Sequence, residues 1–123
     1  MKKKVAILGS TGSIGKNLIN KIKRDKKNFE IILLTTNQNY QELFKQIKFF
    51  KVKNIIIINK KSFIKLKKKK FSHKVNIFND FSSFNKIFKN KIDYAMSAIS
   101  GLEGLYPTLN IIKHTRLIAI ANK

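Results

Sequence analysis

Lys4-Val5-Ala6-Ile7-Leu8-Gly9-Ser10-Thr11-Gly12-Ser13-Ile14-Gly15 reads as a buried strand that turns through glycines into a helix. Gly9 permits a tight turn, Gly12 lets backbone N–H groups approach an anionic ligand without a Cβ in the way, and Gly15 lets the new helix lie close on its strand. The helix N-terminus then offers unpaired N–H groups and about half a positive charge to a pyrophosphate, with Thr11 and Ser13 as further hydroxyl donors. Glycines at this spacing also occur where they only shape a turn. The context favours a dinucleotide cradle, because an amphipathic helix follows (Leu18, Ile19, Ile22) and strands and helices alternate beyond it.

Outward from this stretch, the first strand covers Val5 to Leu8 and the first helix Ser13 to about Lys26. Phe29 to Thr35 is nearly continuous in apolar residues, as a parallel strand covered on both faces should be. After the polar break Thr36-Asn37-Gln38-Asn39, the residues Tyr40, Leu43, Phe44, Ile47 and Phe50 recur at helical spacing. Further strands are expected at Asn54–Ile58, Lys74–Phe78, Ile92–Ala98 and Leu117–Ala121. Helices are expected at Ser62–Lys70, around Phe81 to Phe88, and from about Pro107 to His114. Strands alternating with helices through short links predict an α/β, Rossmann-like fold: a doubly wound parallel sheet of about six strands, in one domain over residues 1–123. Ligand loops then belong at the carboxyl ends of the strands, where Gly9–Ser13, Thr35–Asn39, Ala98–Gly101 and Ala121–Lys123 should gather.

The chain carries 27 Lys and Arg against 6 Asp and Glu, a formal net charge of +21. Such a charge ordinarily points to nucleic acid. Here the cations are almost all Lys, with Arg24 and Arg116 the exceptions, and they are spread through the sequence without an Arg-rich or aromatic-basic reading surface. Lys67 to Lys70 reads as a solvated helix end, and Phe49, Phe50 and Phe71 as core or interface residues. With no cysteine, disulfides and thiolate metal sites are excluded. The basic start Met1-Lys2-Lys3-Lys4 is followed by too short an apolar stretch for a signal peptide or a membrane span. The expectation is a cytoplasmic chain with no specific nucleic-acid partner and no membrane association.

A cradle selective for NAD places an Asp or Glu at the end of the second strand, where it meets the ribose 2′-OH. This chain has Thr35, Thr36 and Asn37 there, while Glu30 lies at the strand's other end, so the lean is towards NADPH. A reaction centre is not evident. His73 and His114 sit in Lys-rich segments and read as solvent-facing, and the acidic residues show no spacing suited to a metal or to paired acid and base work. Asp80, before Phe81-Ser82-Ser83, is a natural helix cap.

Three blocks together resemble the 1-deoxy-D-xylulose 5-phosphate reductoisomerase family. They are Val5 to Gly15, the segment Met96-Ser97-Ala98-Ile99-Ser100-Gly101-Leu102-Glu103-Gly104-Leu105-Tyr106-Pro107-Thr108-Leu109, and the ending Ala119-Ile120-Ala121-Asn122-Lys123, in the family's order. The resemblance implies an enzyme that rearranges and reduces a phosphosugar, 1-deoxy-D-xylulose 5-phosphate, with NADPH and a divalent metal (Mg or Mn). The product is 2-C-methyl-D-erythritol 4-phosphate, in the non-mevalonate isoprenoid pathway. It implies that Thr11, Gly12, Ser13 and Ile14 hold the pyrophosphate, with Gly9 and Gly15 shaping the loop. Asn122 would contact the cofactor near its reactive end, Lys123 would reach substrate, and Asn37, Gln38 and Asn39 would lie on the 2′-phosphate side. In the family those last positions commonly read Gly-Lys-Asn, so only Asn39 agrees.

The resemblance further implies that metal-binding and catalytic residues lie beyond Lys123, that this chain carries none of them, and that the complete enzyme is a homodimer. Two other readings use the same residues: a stand-alone nucleotide-binding module without catalysis, and a basic nucleic-acid binder.

Overall fold

The computed structural model describes residues 2–121. Its six strands are β1 (Lys3–Leu8), β2 (Phe29–Thr36), β3 (Asn54–Ile57), β4 (Asn76–Phe78), β5 (Ile92–Ser97) and β6 (Thr115–Ile120). All pairings are parallel, in the order β4-β3-β2-β1-β5-β6. The helices are α1 (Ser13–Arg24), α2 (Tyr40–Phe50), α3 (Lys60–Lys67), α4 (Phe84–Ile87) and α5 (Leu105–Ile111), with short 3-10 turns at Lys26–Asn28, Phe81–Ser83, Leu102–Gly104 and Ile112–His114. The predicted doubly wound sheet is present.

The unbroken apolar strands follow from burial on both faces. Side chains alternate along a strand, so Val5 and Ile7 enter one layer with Ile19, Leu43 and Ile47, while Ala6 and Leu8 enter the other with Phe84, Phe88 and Ile111. β3 divides in the same way, with Ile55 and Ile57 on one side and Ile56 on the other. β2 keeps phase through an irregularity: Val5 pairs with Ile31 but Ala6 with Leu33, so Ile32 is the extra residue. The Asn54 side-chain amide donates to the Ile32 carbonyl at 3.2 Å, which meets an acceptor the shift would otherwise strand.

Several boundaries differ from the sequence expectation, each for a local reason. α3 begins two residues earlier than Ser62, because the Asn59 side chain caps it by accepting from the Ser62 N–H at 2.9 Å. It ends at Lys67, before the run of like charges continues. α5 begins at Leu105, ahead of Pro107, whose missing N–H falls among the first-turn donors that a helix leaves unused. Asp80 caps the 3-10 turn as expected, accepting from the Ser82 N–H at 3.0 Å.

The histidines depart from the solvent-facing reading. Both are half-buried: His73 Nε2 lies 2.9 Å from the Val52 carbonyl oxygen, and His114 stacks on Phe88 at 5.3 Å. Phe49 departs the other way. It is exposed, and Lys23 and Lys26 lie over its ring at 4.9 and 4.7 Å, so an aromatic read as core or interface serves as a seat for lysines. Leu102, Leu105, Tyr106, Leu109 and Ile112 are also exposed, as are Leu117 and Ile120 on the edge strand β6. No helix among the described residues is long and apolar enough to cross a membrane.

Candidate functional site

The chain runs outward through β1, β2, β3 and β4, then crosses to the other side of β1 for β5 and β6. The reversal leaves a crevice outside the carboxyl ends of β1 and β5, the place where open α/β sheets bind ligands. A cleft of about 420 Å³ occupies it. Gly9, Thr11 and Gly12 line it from the link after β1, Thr35, Thr36 and Asn37 from the end of β2, and Ala98, Ile99, Ser100 and Glu103 from the segment after β5. Ile58 and Phe81 add an apolar wall beyond β3 and β4. Three of the four expected loops therefore converge. Of the fourth, Ala121 is described and donates its N–H to the Ser97 carbonyl at 2.8 Å, whereas Asn122 and Lys123 lie outside the described residues.

The link between β1 and α1 is fixed from behind. Gly9 N–H donates to Thr35 Oγ1 at 2.9 Å and Ser10 N–H to the Thr35 carbonyl at 2.9 Å. Ser10 is fully buried; its hydroxyl donates to Gln46 Oε1 at 2.7 Å, and Gln46 Nε2 donates to its carbonyl at 3.0 Å. Thr11 and Thr36 share a hydroxyl-to-hydroxyl hydrogen bond, so the Thr11 hydroxyl expected to serve a ligand already has a protein partner. These contacts use the inward polarity of the loop and leave its outer side to the cleft.

Each glycine of the opening stretch has its own reason. Gly9 sits at φ +79°, a left-handed conformation that a side chain would strain. A Cβ on Gly15 would lie 2.1 Å from the Gly9 carbonyl oxygen, so α1 can lie this close only on a glycine. Gly12 is different. Its φ of −76° suits any residue, and a Cβ there would meet no protein atom within 4 Å. The space it keeps clear is the mouth of the cleft. Directly behind, the first helical bond of α1 runs from Lys16 N–H to the Gly12 carbonyl, so the N–H groups of Ser13, Ile14 and Gly15 have no helical acceptor, and no side chain caps them. No acid occupies the first turn of α1. Together these features suit an anion lying across Gly12.

The remaining expected residues divide. Gly12 is exposed and lines the cleft, Ser13 is exposed without lining it, Ile14 is half-buried in the first turn and Gly15 is buried. Asn37, Gln38 and Asn39 are exposed, and Asn37 lines the cleft. The Asn39 side chain caps α2, accepting from Glu42 N–H at 3.2 Å. Sequence reasoning missed Gln46, Ile58, Phe81 and the place of Glu103 at the rim. Gln46 carried a usable signal: it stands three residues after Leu43 on the apolar stripe of α2, where a polar side chain must find a buried partner. Among the described residues no group of three His, Asp or Glu side chains is placed to hold a metal. His114 titrates below its usual value, first because burial disfavours its charge and second because Lys113 repels it, but it packs against α4 and does not line the cleft.

Residues 5–123 match the family model described as 1-deoxy-D-xylulose 5-phosphate reductoisomerase. Among curated proteins so described, that of Pelagibacter ubique is 58% identical over 98% of this chain and that of Thermoanaerobacter pseudethanolicus 37% identical over 98%. The chain spans 32% and 31% of their lengths. Among solved structures, the reductoisomerase from Zymomonas mobilis in complex with NADPH superposes with a TM-score of 0.88 at 29% identity, covering 99% of this chain and 32% of that one. A reductoisomerase in complex with NADPH, fosmidomycin and magnesium gives 0.86 at 25% identity, covering 98% and 30%.

Proposed function

The chain belongs to the 1-deoxy-D-xylulose 5-phosphate reductoisomerase family, and from that premise we propose that it is the NADPH-binding part of such an enzyme. One observation carries the reading: the mouth of the cleft at Gly12 is open and faces the uncapped N-terminus of α1. Backbone N–H groups of Ser13, Ile14 and Gly15, with the positive end of the α1 dipole, would hold the pyrophosphate. Asn37 and Gln38 would stand on the 2′-phosphate side, and Ile58 with Phe81 offers apolar surface to the adenine. Asn39 would act there through its backbone, since its side chain caps α2. Asn122 would approach the cofactor's reactive end and Lys123 the substrate. When bound, NADPH supplies a hydride. The contribution of these residues is to orient it and to hold the diphosphate in a fixed register.

The activity of the whole enzyme, reduction and rearrangement of 1-deoxy-D-xylulose 5-phosphate to 2-C-methyl-D-erythritol 4-phosphate, needs a divalent metal (Mg or Mn) held by carboxylates. The described residues supply no such group. Residues 1–123 alone therefore bind coenzyme without turning over substrate, and the complete enzyme is a cytoplasmic homodimer with a phosphosugar substrate and no specific nucleic-acid partner. The exposed apolar side of α5 and β6 supports this division, since about two-thirds of the relatives' own length lies outside the matched part and could cover it.

Titration of the purified 123-residue chain with NADPH, followed by nicotinamide fluorescence, tests the reading. Saturable binding is expected, with no NADPH oxidation when substrate and Mg are added. Absence of binding by the folded chain would remove the cradle, and metal-dependent turnover would remove the claim that catalysis lies elsewhere.

A further inference from the structure

We infer that Lys60 and Lys61, the first two residues of α3, supply the cationic contact for the coenzyme's 2′-phosphate and so set the preference for NADPH over NADH. The inference rests on the coenzyme reading above and adds its specificity element. A loop that accepts a 2′-phosphate needs a cation close to the end of β2. The loop after β2 has none: it reads Asn37-Gln38-Asn39, and the Asn39 side chain is committed to α2. The acid nearest in sequence is Glu42 in the first turn of α2, which would oppose a phosphate dianion.

The cation can come from the adjoining connection. Ile58 N–H donates to the Thr36 carbonyl at 3.2 Å and Asn59 N–H to the Asn37 carbonyl at 2.7 Å, so the β3 to α3 link runs directly against the loop backbone. Lys60 and Lys61 follow at once and both are exposed, while Ile58, two residues before Lys60, lines the cleft together with Asn37. Their position in the helix is itself unusual. α3 carries no acid in its first turn and two lysines there, at the end where the helix dipole disfavours cations. Lysines elsewhere in α3 lie in its last turn, where the dipole favours them. A bound phosphate would reverse the local cost at Lys60 and Lys61, since the cations would then face a dianion. The loop itself offers a phosphate only neutral partners, the side-chain amides of Asn37 and Gln38 and its backbone N–H groups, which supply no charge.

The test compares affinities for NADPH and NADH, by fluorescence titration, in the parent chain, in the double variant Lys60→Gln/Lys61→Gln, and in Lys68→Gln/Lys70→Gln, which removes equal charge beyond the other end of α3. The first double variant should weaken NADPH binding about tenfold or more, as loss of a charge-assisted phosphate contact does, and leave NADH binding within about twofold. Lys60→Arg/Lys61→Arg should keep the preference, and the distal pair should not change the ratio. An unchanged NADPH to NADH ratio in Lys60→Gln/Lys61→Gln, or the same loss in the distal variant, overturns the inference while leaving the cradle intact. If the parent chain binds neither coenzyme, the cradle reading falls and takes this one with it.

Discussion

Ser10 and Gln46 exchange two hydrogen bonds in a fully buried setting although 36 residues separate them in sequence. The pair ties α2 to the turn that carries the cradle, so the packing of one helix fixes the position of the ligand loop. Truncation by Gln46→Ala leaves the Ser10 carbonyl and hydroxyl without that partner, at an expected cost of about 1–3 kcal/mol. The urea unfolding midpoint reports it. NADPH affinity should fall with it, because the loop loses its rear support; an unchanged midpoint would mean that the pair contributes no net stability.

That pair marks where sequence reading ends. The inner strands were legible because burial on both faces leaves an unbroken apolar run, and the glycines at 9, 12 and 15 were legible because they fall at the strand-to-helix turn, Gly9 for its left-handed backbone, Gly15 for the close approach of α1 and Gly12 for the space it keeps open. Gln46, Ile58 and Phe81 reach the site only through the order of strands, which places residues remote in sequence along one edge. The histidines failed for a related reason. Lys-rich flanks suggested exposure, but lysine ammonium groups lie over aromatic rings in this fold, exposed Phe49 and half-buried Phe44 among them, and a residue between lysines can still pack inward.

Gly12 and Gly15 should separate binding from folding. In Gly15→Ala the new methyl meets the Gly9 carbonyl oxygen at 2.1 Å and Ser10 Cα at 2.7 Å, backbone atoms that cannot swing aside. A loss of about 3 kcal/mol or more, or failure to fold, is expected in thermal melts followed by circular dichroism. Gly12→Val has room within the protein and should melt within about 1 kcal/mol of the parent, yet its side chain enters the space of the diphosphate. It should lose NADPH binding. A Gly12→Val variant that binds normally would show that the ligand does not cross that face.

The charge of +21 predicts that screening stabilises the fold. Most lysines are exposed and repel one another over distances near the Debye length, which shortens from about 14 Å at 0.05 M salt to about 4 Å at 0.5 M. The melting temperature should rise over that range of sodium chloride, most steeply at its lower end. A flat or falling response would mean that the lysines are already neutralised by arrangement.

His114 should make the fold less stable in mild acid. Its ring stacks on Phe88 and meets Phe84 edge-on at 6.1 Å, and both burial and the adjacent Lys113 hold its pKa below the usual 6.5. Well above 6.5 the ring is neutral in the folded and unfolded chain alike and adds no pH dependence. As the pH falls through 6.5, the unfolded chain takes up a proton that the folded chain resists, so the unfolded state gains stability. The slope ends below the folded value, where both states are charged. In His114→Phe the stack persists but the proton site is gone, so the loss of stability between about pH 7.5 and pH 5.5 should be smaller than in the parent when urea midpoints are compared. His73 remains in both proteins, so the difference between the two slopes isolates His114. Parallel slopes would mean that the ring accepts its proton in the folded chain as readily as in the unfolded one, by turning out of the stack.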